Sequence, residues 1–107
     1  MPYIAKEQRE AINESIDGLA IAIKCTVSRA DISGKELARP EDMAGMLNYV
    51  CTRLALALYP RRRYWTLALV VGVFVTVVLE YYRRWCAPYE DEKIAQSGDV
   101  YDKEIDA

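Results

Sequence analysis

The chain contains no histidine at all, and this absence narrows its chemistry more than any residue it has. Histidine is the one side chain whose ordinary pKa allows proton transfer near neutral pH, and it is the commonest zinc ligand. The three cysteines, Cys25, Cys51 and Cys86, are far apart and form no CxxC pair, so neither a zinc site nor a redox motif is expected. An odd number of widely spaced cysteines reads as reduced thiols in a cytoplasmic protein. Five glycines, none in a phosphate-cradling pattern, leave no nucleotide loop; Gly34-Lys35 alone is too little. Met1–Glu10 is polar and charged, without the apolar core of a secretory signal. No serine or cysteine stands in a nucleophile context, so the expectation is a non-enzyme with no cofactor and no metal.

A strong positive charge is also missing. The net charge is −2 over 107 residues, and its distribution is uneven. Pro88–Ala107 holds seven acids and two bases, while the other 87 residues hold nine acids and twelve bases. A mildly basic body with an acidic tail does not match the electrostatic footprint of a duplex-DNA binder. With 52% apolar and 28% charged residues the composition is that of a globular protein, and its length suits one domain. That domain is expected over 1–98, with 99–107 as an acidic tail held at most by Tyr101 and Ile105.

Three helices are expected. Ile12, Ile16, Leu19, Ile23 and Val27 recur at helical spacing within Ala5–Val27, with Glu10, Asn13, Glu14 and Asp17 off that stripe. Ser28–Arg39 reads as a loop, with Asp31, Ser33 and Gly34 as turn residues. Pro40 suits a first helical position, and Glu41 and Asp42 complement the helix dipole there. Met43, Met46 or Leu47, Val50, Leu54 and Leu58 continue as an apolar stripe until Pro60 stops it. Arg61-Arg62-Arg63 follows, most simply a solvated turn.

The third segment, Tyr64–Trp85, is apolar on every side from Trp65 to Leu79, with arginines and aromatics at both ends. Those flanks are what a membrane span carries, but the run falls short of the roughly 20 residues a span needs. A helix apolar all round equally fits the centre of a bundle or an oligomer, which is the expectation taken here; the valines leave a strand as the remotest option. Ala87-Pro88 is expected to end this helix, and Pro88 to open a short fourth one that Gly98 stops. The fold expected is therefore all-α: a helical hairpin of the second and third helices plus an N-terminal helix, a small bundle completed by homo-oligomerisation through the 65–85 helix.

Two stretches carry a resemblance. Gly45-Met46-Leu47-Asn48-Tyr49-Val50-Cys51-Thr52-Arg53-Leu54 resembles a GxLNYxxTRL signature. Leu79-Glu80-Tyr81-Tyr82-Arg83-Arg84, with Pro88-Tyr89-Glu90-Asp91 and Gly98-Asp99-Val100-Tyr101, is similar to an LExYRRxxxPYEDxK…GDVY ending. Together with Pro2-Tyr3-Ile4 they resemble a family of short phage and microbial proteins classed as a domain of unknown function. The resemblance implies a soluble helical protein, since relatives are more polar across Leu67–Val78, and it supplies no activity.

The candidate site is a polar and aromatic cluster. Asn48 with Thr52, and Tyr49 with Arg53, share helix faces at i,i+4, and Glu80 can pair with Arg83 or Arg84 beside Tyr81 and Tyr82. A hairpin bent at Pro60 would bring Asn48, Tyr49 and Arg53 towards Glu80–Arg84, with Tyr89 after the turn. Such a cluster serves either as a structural ion-pair network or as a pocket for an anionic, nucleotide-like ligand, with arginines on phosphate and tyrosines on the base. A small anion-sequestering protein of the phage accessory, anti-defence type is the sharper expectation. A factor that inhibits or bridges a host protein through the same Tyr, Trp and Arg surface is the alternative, and a membrane-associated protein the third. Asp91-Glu92-Lys93 is also the ending of some metal-dependent nucleases, but those need a sheet and a second acid; a solvated helix start explains it better.

Overall fold

The computed structural model describes residues 3–30 and 36–101, and the chain divides into two compact units, 3–66 and 67 onward. It is all-α apart from one two-residue ladder.

The first unit is built on two helices. α1 spans Lys6–Val27 and α2 spans Pro40–Leu58. At the start of α1 the Gln8 side chain reaches back, and its Oε1 accepts a hydrogen bond from the Ala5 backbone N–H at 3.3 Å. This is half of a capping box; alanine has no side-chain oxygen to return the bond. Near its end Thr26 and Ser28 donate to the carbonyls of Ala22 and Lys24, each at 2.7 Å.

α2 starts on Pro40, whose missing N–H costs nothing there. Arg39, just before it, clamps Asp42 of the first turn with Nε–Oδ2 at 2.9 Å and Nη2–Oδ1 at 3.3 Å. The helix closes with the Tyr59 N–H donating to the Ala55 carbonyl at 2.9 Å, ahead of Pro60. Within this unit α2 contacts α1. The connection between them carries a short antiparallel ladder, β1 (Arg29–Ala30) with β2 (Glu36–Leu37), registered Arg29 to Leu37 and Ala30 to Glu36. The loop expected over Ser28–Arg39 is thus partly a hairpin; its turn residues Asp31, Ser33 and Gly34 lie outside the described residues.

Tyr64–Ser97 is one continuous helical stretch rather than two helices parted at Ala87-Pro88. α3 spans Tyr64–Tyr81, a π-turn occupies Tyr82–Cys86, and α4 spans Ala87–Ser97. The expected break fails for a physical reason. Proline lacks an N–H and its ring collides with the carbonyl four residues back, here that of Arg84. Widening the turn moves that carbonyl away, and the Ala87 N–H donates instead to Tyr82, five residues back. The helix therefore passes through Pro88. Gly98 then stops it, its N–H donating to the Ile94 carbonyl at 2.8 Å at φ 86°, ψ 155°. That backbone conformation is one only glycine adopts without strain.

The hairpin expected at Pro60 joins one helix from each unit, and in its own unit α2 has α1 as its companion. A further feature concerns burial. Among the described residues no apolar side chain is buried, and Thr66 alone falls in the buried class.

Candidate functional site

The sequence-predicted residues fall into two groups. Asn48, Tyr49 and Arg53 lie on α2, all exposed, in the first unit. Thr52 donates its hydroxyl to the Asn48 backbone carbonyl at 3.0 Å, turning inward to its own helix rather than towards a ligand. Glu80, Tyr81, Tyr82, Arg83, Arg84 and Tyr89 lie in the second unit, where the structure does build an organised site.

Three contacts organise it. Arg83 presents its guanidinium fork to Glu80, with Nε–Oε1 at 3.2 Å and Nη2–Oε2 at 3.0 Å. The pair is i,i+3 along the helix, with the carboxylate half-buried and the guanidinium largely in water. The Tyr82 phenol donates to Glu90 Oε2 at 2.8 Å, eight residues on, spanning the π-turn. This bond, and then the charge of the same carboxylate, holds the phenol above its ordinary pKa, because ionising it would both lose a donor and set two anions side by side. Lys93 Nζ stands 5.3 Å from the centre of the Tyr89 ring, a cation–π contact one turn into α4.

Around the π-turn lies an open groove of about 710 Å³ lined by Arg84, Trp85, Cys86, Pro88, Tyr89 and the carboxylates of Glu90 and Glu92. Trp85 and Tyr89 are largely exposed, so two aromatic faces and one guanidinium are presented to whatever enters. The wide turn, which spaces Trp85 and Tyr89 differently from an α-helix, makes this groove. Pro88 stands in the first turn of α4, as the expected start of a fourth helix, and the widened turn before it is what lets α3 run on into that helix.

Two further surfaces stand out. Leu58–Thr66 forms a hollow of about 390 Å³ whose walls include Tyr59, Pro60, Arg61, Arg63 and Trp65. On α3 an open groove of about 370 Å³ is lined by the apolar side chains of Val71, Phe74, Val75, Val78 and Leu79. The Tyr64–Ser97 helix is long and apolar enough to cross a membrane, and almost none of its most apolar stretch is buried among the described residues. Among the described residues no group of three or more His, Cys, Asp or Glu could hold a metal ion. Cys25, Cys51 and Cys86 are free thiols.

Comparison with known proteins agrees with the motif resemblance. The chain belongs to the family described as a domain of unknown function, DUF6899, whose model matches residues 1–100. No curated protein and no solved structure matches it.

Proposed function

We propose that this member of the family is a non-enzymatic binding protein of the cytoplasm whose working form is a homo-oligomer, and that the Trp65–Leu79 helix is its assembly surface. One observation carries the reading: that helix is apolar on every side, yet its large side chains are exposed, from Phe74 at 38% to Val78 at 66%. Contiguous apolar patches of this extent are rare on monomers and mark surfaces that meet a partner. Burying one such side chain contributes about 1.5–3 kcal/mol, so covering a row of them outweighs the entropy of association. Protein is taken as the cover although the Tyr64–Ser97 helix is long and apolar enough to cross a membrane; the fully apolar run Trp65–Leu79 is shorter than the roughly 20 residues that usually span one.

Sedimentation equilibrium on protein purified without detergent tests this. A defined oligomer at micromolar concentration is the expected result. A monomer in water, or recovery only from the detergent-extracted membrane fraction, overturns it.

A second reading has its own observation. The open groove at the π-turn sets Arg84 beside the exposed faces of Trp85 and Tyr89, which is chemistry suited to a planar anion such as a nucleotide. Arg83 is less available to such a ligand, because Glu80 already holds its fork. Native mass spectrometry tests it: extra mass that leaves on denaturation and absorbs near 260 nm supports the ligand, and loss of that mass in Arg84→Glu places it in this groove.

A further inference from the structure

The apolar surface of α3 is ordered along the helix. Tyr64, Leu67, Val71, Phe74, Val78 and Tyr81 follow one another at alternating steps of three and four residues, and every one is exposed. That spacing is the 3.5-residue repeat of a coiled-coil seam, kept over the 18 residues of α3, or about 26 Å from its first to its last residue. A second copy of the same helix fits such a seam. Charge then decides its direction.

Immediately before the seam stand Arg61, Arg62 and Arg63, all exposed, with no ion pair among the described residues. Beyond it, on α4, stand Glu90, Asp91 and Glu92, also exposed; Glu90 accepts from Tyr82, while Asp91 and Glu92 have no ion pair among the described residues. A parallel pair would set arginine against arginine and acid against acid. Antiparallel pairs that keep seam on seam come only in steps of one heptad. The register that sets Val71 against Phe74 ends with Tyr64 against Tyr81, so the non-helical arginine turn before one copy's α3 meets the Arg83-Arg84 segment after the other's, like on like. Moving one heptad sets Phe74 against Val78, Val71 against Tyr81 and Leu67 against Trp85. It also carries the arginine turn one heptad further, towards the first turns of the other copy's α4, where Glu90, Asp91 and Glu92 stand. Like charges held directly opposite are disfavoured, and opposite ones at a rim steer association and fix register.

We infer that two copies of this chain pair antiparallel along α3 in the heptad register centred on Thr76, each arginine turn closing on the other copy's acidic α4. The pairing rests on the oligomer reading above and adds its direction and register. Each end of the pair buries a Leu67–Trp85 contact at its margin, and the Trp85 face of the π-turn groove becomes part of the interface.

Two experiments on the full chain test it, both read by sedimentation and mass spectrometry. Arg61→Glu with Arg62→Glu, and separately Asp91→Lys with Glu92→Lys, are each expected to weaken the dimer at least 10-fold at low salt. All four substitutions in one chain restore it to within a few-fold, because the opposite charges again face each other. A dimer indifferent to the swaps, or not rescued by their combination, overturns the register while leaving the oligomer reading in place. In a chain with its three cysteines replaced by serine, Val71→Cys with Tyr81→Cys is then oxidised and digested. A disulfide joining 71 of one copy to 81 of the other is expected. Disulfides joining 71 to 71 and 81 to 81 establish a parallel pair and overturn the inference, and a monomer that forms none overturns both readings.

Discussion

Tyr82 and Glu90 are hydrogen-bonded at 2.8 Å although eight residues separate them. In an α-helix residues i and i+8 lie two turns apart, some 12 Å along the axis, beyond the usual i,i+4 partnership. The bond here straps the π-turn from one side to the other, tying the end of α3 to the first turns of α4. Both groups are exposed, so the strap governs local order more than global stability.

Tyr82→Phe is expected to speed amide exchange across Glu90–Ile94 while leaving the melting temperature almost unchanged. Hydrogen exchange read by mass spectrometry on peptides from α3 and α4 checks this. Unchanged exchange would mean the bond does not order α4.

The same pair makes a pH prediction. The folded phenol has its pKa raised above the ordinary 10.0, first by the hydrogen bond to Glu90 and then by that carboxylate's charge. Between the unfolded and folded values the native state holds the proton more tightly, so stability falls as pH rises through this window. The contribution of the strap is fully present below pH 10 and is lost above it. In an ultraviolet titration near 295 nm, the Tyr82 phenol should ionise later than it does in Glu90→Gln, where the carboxylate charge is gone.

Pro88→Ala restores an N–H that can bond the Arg84 carbonyl, so the π-turn is expected to relax towards regular α-helix. Helicity should rise slightly by circular dichroism. The α4 side chains then rotate relative to α3, which separates Tyr82 from Glu90 and narrows the groove between Trp85 and Tyr89. A π-turn that survives in the variant's structure would assign its cause elsewhere.

Gly98→Ala places a side chain on a backbone at φ 86°, ψ 155°. No neighbouring atom lies within 4 Å of the added Cβ, so conformation alone sets the penalty, about 1–3 kcal/mol. Exchange protection should fall over the last turn of α4, around Ile94–Ser97, with α1 and α2 unaffected.

Val78→Asp tests the assembly surface. A lone carboxylate buried in a helix interface costs several kcal/mol, so self-association should weaken by at least about 100-fold in sedimentation velocity. Thr52→Ala, on α2, is the control and should leave it unchanged. Equal loss in both would point to general unfolding.

Much of this protein was legible in its sequence because the signals are local. The capping chemistry of Pro40-Glu41-Asp42, the stop at Pro60 and the stop at Gly98 each act within one or two turns, and the helices begin and end where those residues dictate. The Glu80–Arg83 pair was equally readable, being fixed by helix geometry alone. The expected membership of an uncharacterised domain family agrees with the family model matched over residues 1–100. Pro88 was misread for want of one fact: a proline ends a helix only if the preceding turn keeps its α-helical width. The two-residue ladder before α2 escaped notice because pairings so short leave no periodicity.

The sequence by itself thus determined that the chain is helical, where most helices stop, and that Trp65–Leu79 is apolar on every side. Only the tertiary structure decided that the helix runs unbroken from Tyr64 through Pro88 to Ser97, and that Tyr82 meets Glu90 across a widened turn. The reason is one of range. Capping and periodicity act between residues a few positions apart, whereas burial, and the choice between a chain's own helices and another molecule as cover, depends on packing distant segments that local patterns do not specify.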